Sequence, residues 1–252
     1  VPCGHCLQCR IGNPHICENM HVFGVTDPGA FSEYAVVPKS CIVRLDDALS
    51  YEQGAMLEAM GAGVHGVEKA QVKGKTVLVS GCGPIGLMAI GACKVHGAKQ
   101  IIACDMFDEK LELAKVMGAD IIINSGKESV IDAVRQATNG SGADAAIDIT
   151  GNGKAIVDGI RALRKAGIMV SVGLPDGEIP INLTEDIIYR EVTYTGISGR
   201  RMFETWEDCM QIIQTPGFSL EPAIGGVYPL SDFEEALNKI KSGVPGKMIL
   251  IP

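Results

Sequence analysis

From residue 75 onward the chain alternates short apolar, β-branched runs with segments whose apolar positions recur at helical spacing. The strand-like runs are 76–80 (TVLVS), 100–105 (QIIACD), 120–124 (DIIIN), 144–150 (DAAIDIT), 167–173 (GIMVSVG) and 191–197 (EVTYTGI). Most are continuous rather than alternating, the pattern of parallel strands covered on both faces. Helical patterns fill the gaps at 107–117 (FDEKLELAKVM), 129–137 and 154–164. Six strands with intervening helices predict an α/β fold built on a doubly wound parallel sheet.

The two ends read differently. Residues 1–50 are rich in Gly, Pro and Cys, with short extended stretches such as 31–38 (FSEYAVVP), and predict part of an irregular, β-rich domain. After Pro216 the alternation also breaks, and turn-rich sequence leads to a last helix and a terminal strand at 248–251. That helix is expected to start at Ser231, with Glu234 completing a capping box. Three segments follow: 1–50, a sheet domain at 51–215, and a return of 216–252 to the domain of the N-terminal end.

Composition narrows the function classes. The chain has 252 residues and a formal charge of −8, with 46% hydrophobic and 21% charged residues, an ordinary globular balance. The acidic balance leaves no global basic footprint for nucleic acid or an anionic membrane. No apolar run reaches membrane-spanning length, and no charged segment followed by an apolar one marks a secretory signal. A cytoplasmic protein is expected.

Four of the nine cysteines, Cys3, Cys6, Cys9 and Cys17, fall in one short loop, while the other five are scattered singly. An odd, clustered set argues against a disulfide framework and for a metal site among reduced thiols. Four thiolates fill a tetrahedral zinc shell, which makes such a site structural. An iron–sulfur cluster uses the same ligands. His5 and His15 stand nearby as substitute ligands.

The run 76–80 leads directly into Gly81-Cys82-Gly83-Pro84-Ile85-Gly86 and an apolar helix, and the next strand ends in Asp105. A GxGxxG between strand and helix, followed by an acid at the next strand end, is the setting of a dinucleotide fingerprint. Gly81 permits the tight turn, Gly83 admits the pyrophosphate, and Gly86 lets helix and strand pack closely. The helix N-terminus offers free N–H groups to phosphate. Asp105 can accept from both ribose hydroxyls and would repel a 2′-phosphate, which favours NAD over NADP. The alternative is a Gly-rich turn that binds nothing.

The order of the Cys quartet, PGAFSEYAVVP (28–38), LEAMGAGVHGV (57–67) and SGCGPIG (80–86) resembles the zinc-dependent medium-chain dehydrogenases. Within them, GISGRRMFETW (196–206) is similar to a run of the threonine dehydrogenase branch. The resemblance covers essentially the whole chain. It implies a Rossmann cofactor domain, a GroES-like catalytic domain, NAD, zinc and a homotetramer. Position by position, Cys3, Cys6, Cys9 and Cys17 match structural zinc ligands. Glu58 matches the acid beside the catalytic zinc, although Ala59-Met60 follow it where the family has Pro then Leu. A helix cap or surface ion pair is the plainer fate for such a glutamate.

For NAD, the match extends to Ile85, Asp105 and Lys110, the last standing where the family often has Arg. It also reaches Val172, Gly173 and Leu174, and Ile197 and Ser198, at the ends of the fifth and sixth strands. Threonine enzymes often carry Tyr at the position of Ser198. His65, alone on an apolar helix, is expected to be packed. In the family the main catalytic-zinc ligands precede the quartet, and this chain begins two residues before it, so a catalytically incomplete fragment is expected. The implied reaction is hydride transfer from a secondary alcohol to NAD, from L-threonine to 2-amino-3-oxobutanoate. Alternatives are a sorbitol- or butanediol-type substrate, or an NAD-binding, zinc-stabilised module without turnover. The expected partner is a small-molecule alcohol, with no nucleic acid or membrane and with further copies of the same chain.

Overall fold

The computed structural model describes residues 1–252. In chain order the main elements are α1 (Leu7–Arg10), α2 (Tyr51–Ala70), β1 (Thr76–Ser80), α3 (Pro84–Val95), β2 (Gln100–Asp105), α4 (Asp108–Met117), β3 (Ile121–Asn124) and α5 (Val130–Ala137). They continue with β4 (Ala143–Asp148), α6 (Gly153–Ala162), β5 (Leu163–Ser171), β6 (Thr193–Gly196), α7 (Glu204–Ile213), β7 (Ile224–Pro229), α8 (Phe233–Lys241) and β8 (Lys247–Ile251). The first six strands form one parallel sheet in the order β3-β2-β1-β4-β5-β6. This is the doubly wound α/β arrangement expected, with all six strands in place. Its order reverses between β1 and β4, and in such sheets ligands bind at that crevice, beyond the carboxyl ends of the strands.

The continuous apolar runs are explained by burial on both faces. In β1 all five residues are buried. Val77 and Val79 join a core with Met56 and Val64 of α2 and Leu87 and Met88 of α3. Leu78, pointing the other way, joins Val134 of α5 and Ile156 and Ile160 of α6. Each such aliphatic side chain contributes on the order of 1.5–3 kcal/mol by leaving water. No helix is long and apolar enough to cross a membrane.

Several element ends differ from the expected ones, each for a local reason. β4 stops at Asp148, not at residue 150, because the Asp148 carboxylate accepts the N–H groups of Thr150 and Gly151 and turns the chain. Strand β6 begins after Glu191, whose φ of 51° is left-handed and breaks the ladder. Helix α6 ends at Ala162, since Leu163 already pairs with Ala143 in the sheet. The capping box expected at Ser231 does not form: Ser231 lies in a 3₁₀ turn, its hydroxyl bonds Asp232 at 2.9 Å, and α8 starts at Phe233. A capping box forms instead at α2, where Ser50 and Gln53 bond reciprocally at 3.0 and 3.2 Å.

The expectation of β-rich structure in 1–50 is not met: the segment holds α1, two short 3₁₀ turns and irregular chain, and contributes no strand to either sheet. Its one bridge pairs Phe23 with Asp27. A strand needs a partner backbone for its N–H and C=O groups; no strand of the chain pairs with residues 31–38, where Tyr34 and Val36 are 90% and 95% exposed. Strands β7 and β8 form a separate parallel pair. Phe31 and Glu33 share a surface cavity with Phe233 and Ile251, so the two ends of the chain meet.

One ion pair ties α3 to α7. His96 Nε2 lies 3.0 Å from Asp208, both partly buried, and the carboxylate raises the imidazole pKa above its ordinary 6.5. A raised folded pKa gives stability that is fully present below the unfolded value and is lost as pH climbs through the folded one. The melting temperature is therefore expected to fall from about pH 6.5 upward by the equivalent of ~1 kcal/mol or less. Asp208→Asn should flatten that slope; an unchanged profile in thermal melts across pH would contradict it.

Candidate functional site

At the end of β1 the loop builds a tight cradle. Gly81 has φ of 97°, and a Cβ there would meet Thr150 Cγ2 at 2.8 Å. A Cβ on Gly86 would lie 1.8 Å from the Gly81 carbonyl oxygen, so helix α3 passes against the loop with no room for any side chain. Gly83 is different: a Cβ there meets nothing within 4 Å. It is the N-cap of α3, which has Pro84 in its first turn and no side-chain cap, leaving the helix N–H groups of that turn for a ligand.

Gly81, Gly83, Ile85, Asp105 and Lys110 line one cavity of about 620 Å³, together with Thr150 and Asn152. The Asp105 carboxylate accepts the Cys82 N–H at 2.7 Å and the Met106 and Phe107 N–H groups at 2.8 and 3.1 Å. These bonds hold it at the mouth of the glycine loop. Lys110 Nζ sits 4.7 Å from the centre of the Phe107 ring. An open glycine, free helix-end donors and a carboxylate at the rim fit a dinucleotide.

A second cavity, of about 720 Å³, is lined by Glu58, Ser198, Gly199, Arg200 and Trp206, with His15, His21 and Cys41. Glu58, on α2, keeps an exposed carboxylate 3.7 Å from Arg200. Arg200 stacks on Trp206, its Cζ 4.1 Å from the ring centre, and burial lowers its pKa from the usual value. Gly61 of α2 makes this possible, since a Cβ there would stand 3.0 Å from Arg200. His65 is buried, as expected of a packed histidine, and its Nδ1 bonds the Gly199 carbonyl at 3.1 Å. Val172, Gly173, Leu174 and Ile197 line neither cavity. They sit at the ends of β5 and β6, with Val172 against Gly66 of α2 and Leu174 largely exposed.

The four cysteines come together. All are free thiols, and their sulfurs lie within 4.8 Å of one another, the one cluster of three or more ligand-type side chains in the chain. Cys6 and Cys17 sulfurs are 3.8 Å apart. A tetrahedral ion with Zn–S near 2.3 Å places sulfurs about 3.8 Å apart, so the quartet fits a single zinc ion; several irons would hold them farther apart. Backbone N–H groups of Cys3 and Asn19 lie 3.2 and 3.3 Å from Cys17 sulfur. The backbone amides of His5 and Cys6 bring the Cys3 thiol down to about 6, toward the thiolate a metal needs. His5 and His15 stay outside the cluster. Glu58 belongs to no second cluster of three or more ligand-type side chains, although His15, His21 and Cys41 line the same cavity.

Known proteins agree with both features. A family model for zinc-binding dehydrogenases matches residues 84–215, and one for the GroES-like domain of alcohol dehydrogenases matches residues 1–47. The chain is 39% identical over 253 residues to the L-threonine 3-dehydrogenase of Caldanaerobacter subterraneus subsp. tengcongensis, covering 100% of itself and 73% of that enzyme. The chain belongs to the zinc-binding alcohol dehydrogenase family. Solved structures show the same fold: galactitol-1-phosphate dehydrogenase from Escherichia coli at a TM-score of 0.92 and 27% identity, over 100% of this chain and 75% of that one. For 2R,3R-butanediol dehydrogenase from Bacillus subtilis the values are 0.88 and 30%, over 96% and 70%. The protein is thus an NAD-dependent zinc dehydrogenase of the alcohol dehydrogenase type. Arg200 and Trp206, both within the run 196–206 quoted above, carry no assigned role in the sequence reading; their signal was the GRRMFETW stretch itself.

Proposed function

We propose that this dehydrogenase oxidises the secondary alcohol of L-threonine, giving 2-amino-3-oxobutanoate and NADH. The Glu58–Arg200 pair in one cavity carries the reading. A β-hydroxy amino acid brings a carboxylate and an ammonium group, and Arg200 and Glu58 offer a cation and an anion within one substrate's reach. A diol or polyol has no charge to satisfy a half-buried guanidinium. Identity to a threonine enzyme at 39%, against 30% for the butanediol enzyme, supports the same choice.

In this reading a bound NAD would supply the acceptor for the hydride of the carbinol carbon. Gly81, Gly83, Ile85 and Gly86 take the pyrophosphate, Asp105 the ribose hydroxyls, and Lys110 the outer edge of the adenosine. Val172, Gly173, Leu174, Ile197 and Ser198, at the ends of β5 and β6, bound the nicotinamide side. Glu58 is the carboxylate available to receive or relay the hydroxyl proton. Cys3, Cys6, Cys9 and Cys17 hold a structural zinc, which cross-links their loop. The chain divides as 1–50 and 216–252 around a cofactor domain at 51–215.

Free thiols throughout support a cytoplasmic setting, and the exposed edge strand β6 supports assembly with further copies of the chain. The test is Arg200→Met. It is expected to raise KM for L-threonine at least about tenfold, ~1.4 kcal/mol, while leaving KM for 2,3-butanediol within about twofold. Equal losses for both substrates in steady-state kinetics would count against threonine.

A further inference from the structure

One buried acid has no part in the reading above. Asp148 ends β4, beside β1, where the strand order reverses, and it is 0% exposed. A carboxylate so placed is normally paired with a cation. Here its three partners come from one turn: the Thr150 hydroxyl at 2.6 Å, the Thr150 N–H at 3.3 Å and the Gly151 N–H at 3.0 Å. Its own carbonyl oxygen accepts the N–H groups of Val172 and Gly173 at 2.8 and 3.1 Å.

The turn that Asp148 holds is wedged between the glycine loop after β1 and the chain at the end of β5. Thr150 lies against Gly81, and a Cβ on Gly173 would come within 2.1 Å of the Gly151 nitrogen. Thr150 and Asn152 line the cavity that also holds Gly83 and Asp105. A displacement of this turn therefore moves a wall of the cleft. Three donors converge on two carboxylate oxygens, whereas an asparagine has one acceptor oxygen and leaves a donor unpaired.

We propose that Asp148 is a positioning residue for the dinucleotide, its carboxylate fixing the Thr150–Gly151 turn as one wall of the cofactor cleft. The inference rests on the dinucleotide reading of that cleft. It is tested by calorimetric titration of AMP and of NAD into the wild-type protein, Asp148→Asn and, as a control, Ile212→Ala, a fully buried side chain of α7 that lines neither cavity. Asp148→Asn is expected to weaken AMP and NAD about tenfold. Ile212→Ala should lower the melting temperature with both Kd values kept within about twofold. An Asp148→Asn protein that binds AMP and NAD like wild type, with only its melting temperature reduced, overturns the proposal. If Asp148→Asn does not fold, Thr150→Val removes one donor at equal volume and is expected to weaken AMP about threefold; unchanged binding overturns the proposal. A wild-type protein that binds neither AMP nor NAD overturns the dinucleotide reading itself, and is told apart because no variant is then needed to see it.

Discussion

Alanine at Gly83 and alanine at Gly86 are expected to separate cofactor binding from folding. At Gly83 the added methyl group meets no protein atom within 4 Å and the backbone φ is −69°, so the fold tolerates it. Its stability should stay within about 0.5 kcal/mol of wild type. The methyl group occupies the space beside the helix α3 N-terminus where the pyrophosphate must approach, and NAD affinity should fall about a hundredfold, ~2.7 kcal/mol. At Gly86 the methyl group would stand 1.8 Å from the Gly81 carbonyl oxygen, a backbone atom that cannot rotate away. That variant is expected to lose about 3 kcal/mol or more of stability as well as NAD binding, because loop and helix must part. Thermal melts and NAD titrations on the two proteins check this; normal NAD affinity in Gly83→Ala would mean that the pyrophosphate lies elsewhere.

Removing the metal has an equally large but local expected effect. Among residues 1–50 only Cys6 and Cys17 are buried, so this segment has no apolar core of its own. A metal bound to four thiolates then supplies most of its order, and such binding free energy is folding free energy, on the order of 10 kcal/mol for structural zinc. Cys17→Ser, or stripping with a strong chelator, is expected to take zinc from one ion per chain to none and to make residues 3–19 cleavable by protease. The sheet core at Met56, Val64, Val77 and Ile147 is independent of that loop. NAD affinity should accordingly stay within about twofold. Zinc retained in the Cys17→Ser protein, or NAD binding lost with it, would contradict this separation.

How far these features could be read beforehand depended on whether the residues acting together are near in sequence. The β1 loop was legible because Gly81, Gly83 and Gly86 act within one turn, and Asp105 marks the next strand end. The cysteine quartet was legible for the same reason. The strands of the sheet announced themselves by continuous apolar runs, since both faces are covered by helices. Their ends were less legible: β4 stops where the Asp148 side chain captures two amides, and periodicity carries no trace of that. The Ser231 box failed because Ser231 bonds its neighbour Asp232, while Ser50 and Gln53 make the same box ahead of α2.

Arg200 shows the opposite limit. Its meeting with Glu58 joins residues 142 positions apart across α2 and the segment after β6, a contact only the fold creates. Asp148 is of the same kind, because its importance comes from the strands on either side of it. In residues 31–38 no strand forms, because a strand needs a partner backbone that sequence pattern alone does not supply.

Action on L-threonine is tested most directly by following NADH formation in the zinc-loaded protein supplied with NAD and L-threonine. NADH is expected to appear in proportion to L-threonine, with 2-amino-3-oxobutanoate as the accompanying product and a kcat/KM above those for 2,3-butanediol and sorbitol. Binding of NAD without any NADH formed from L-threonine, or faster turnover of either polyol, would contradict it.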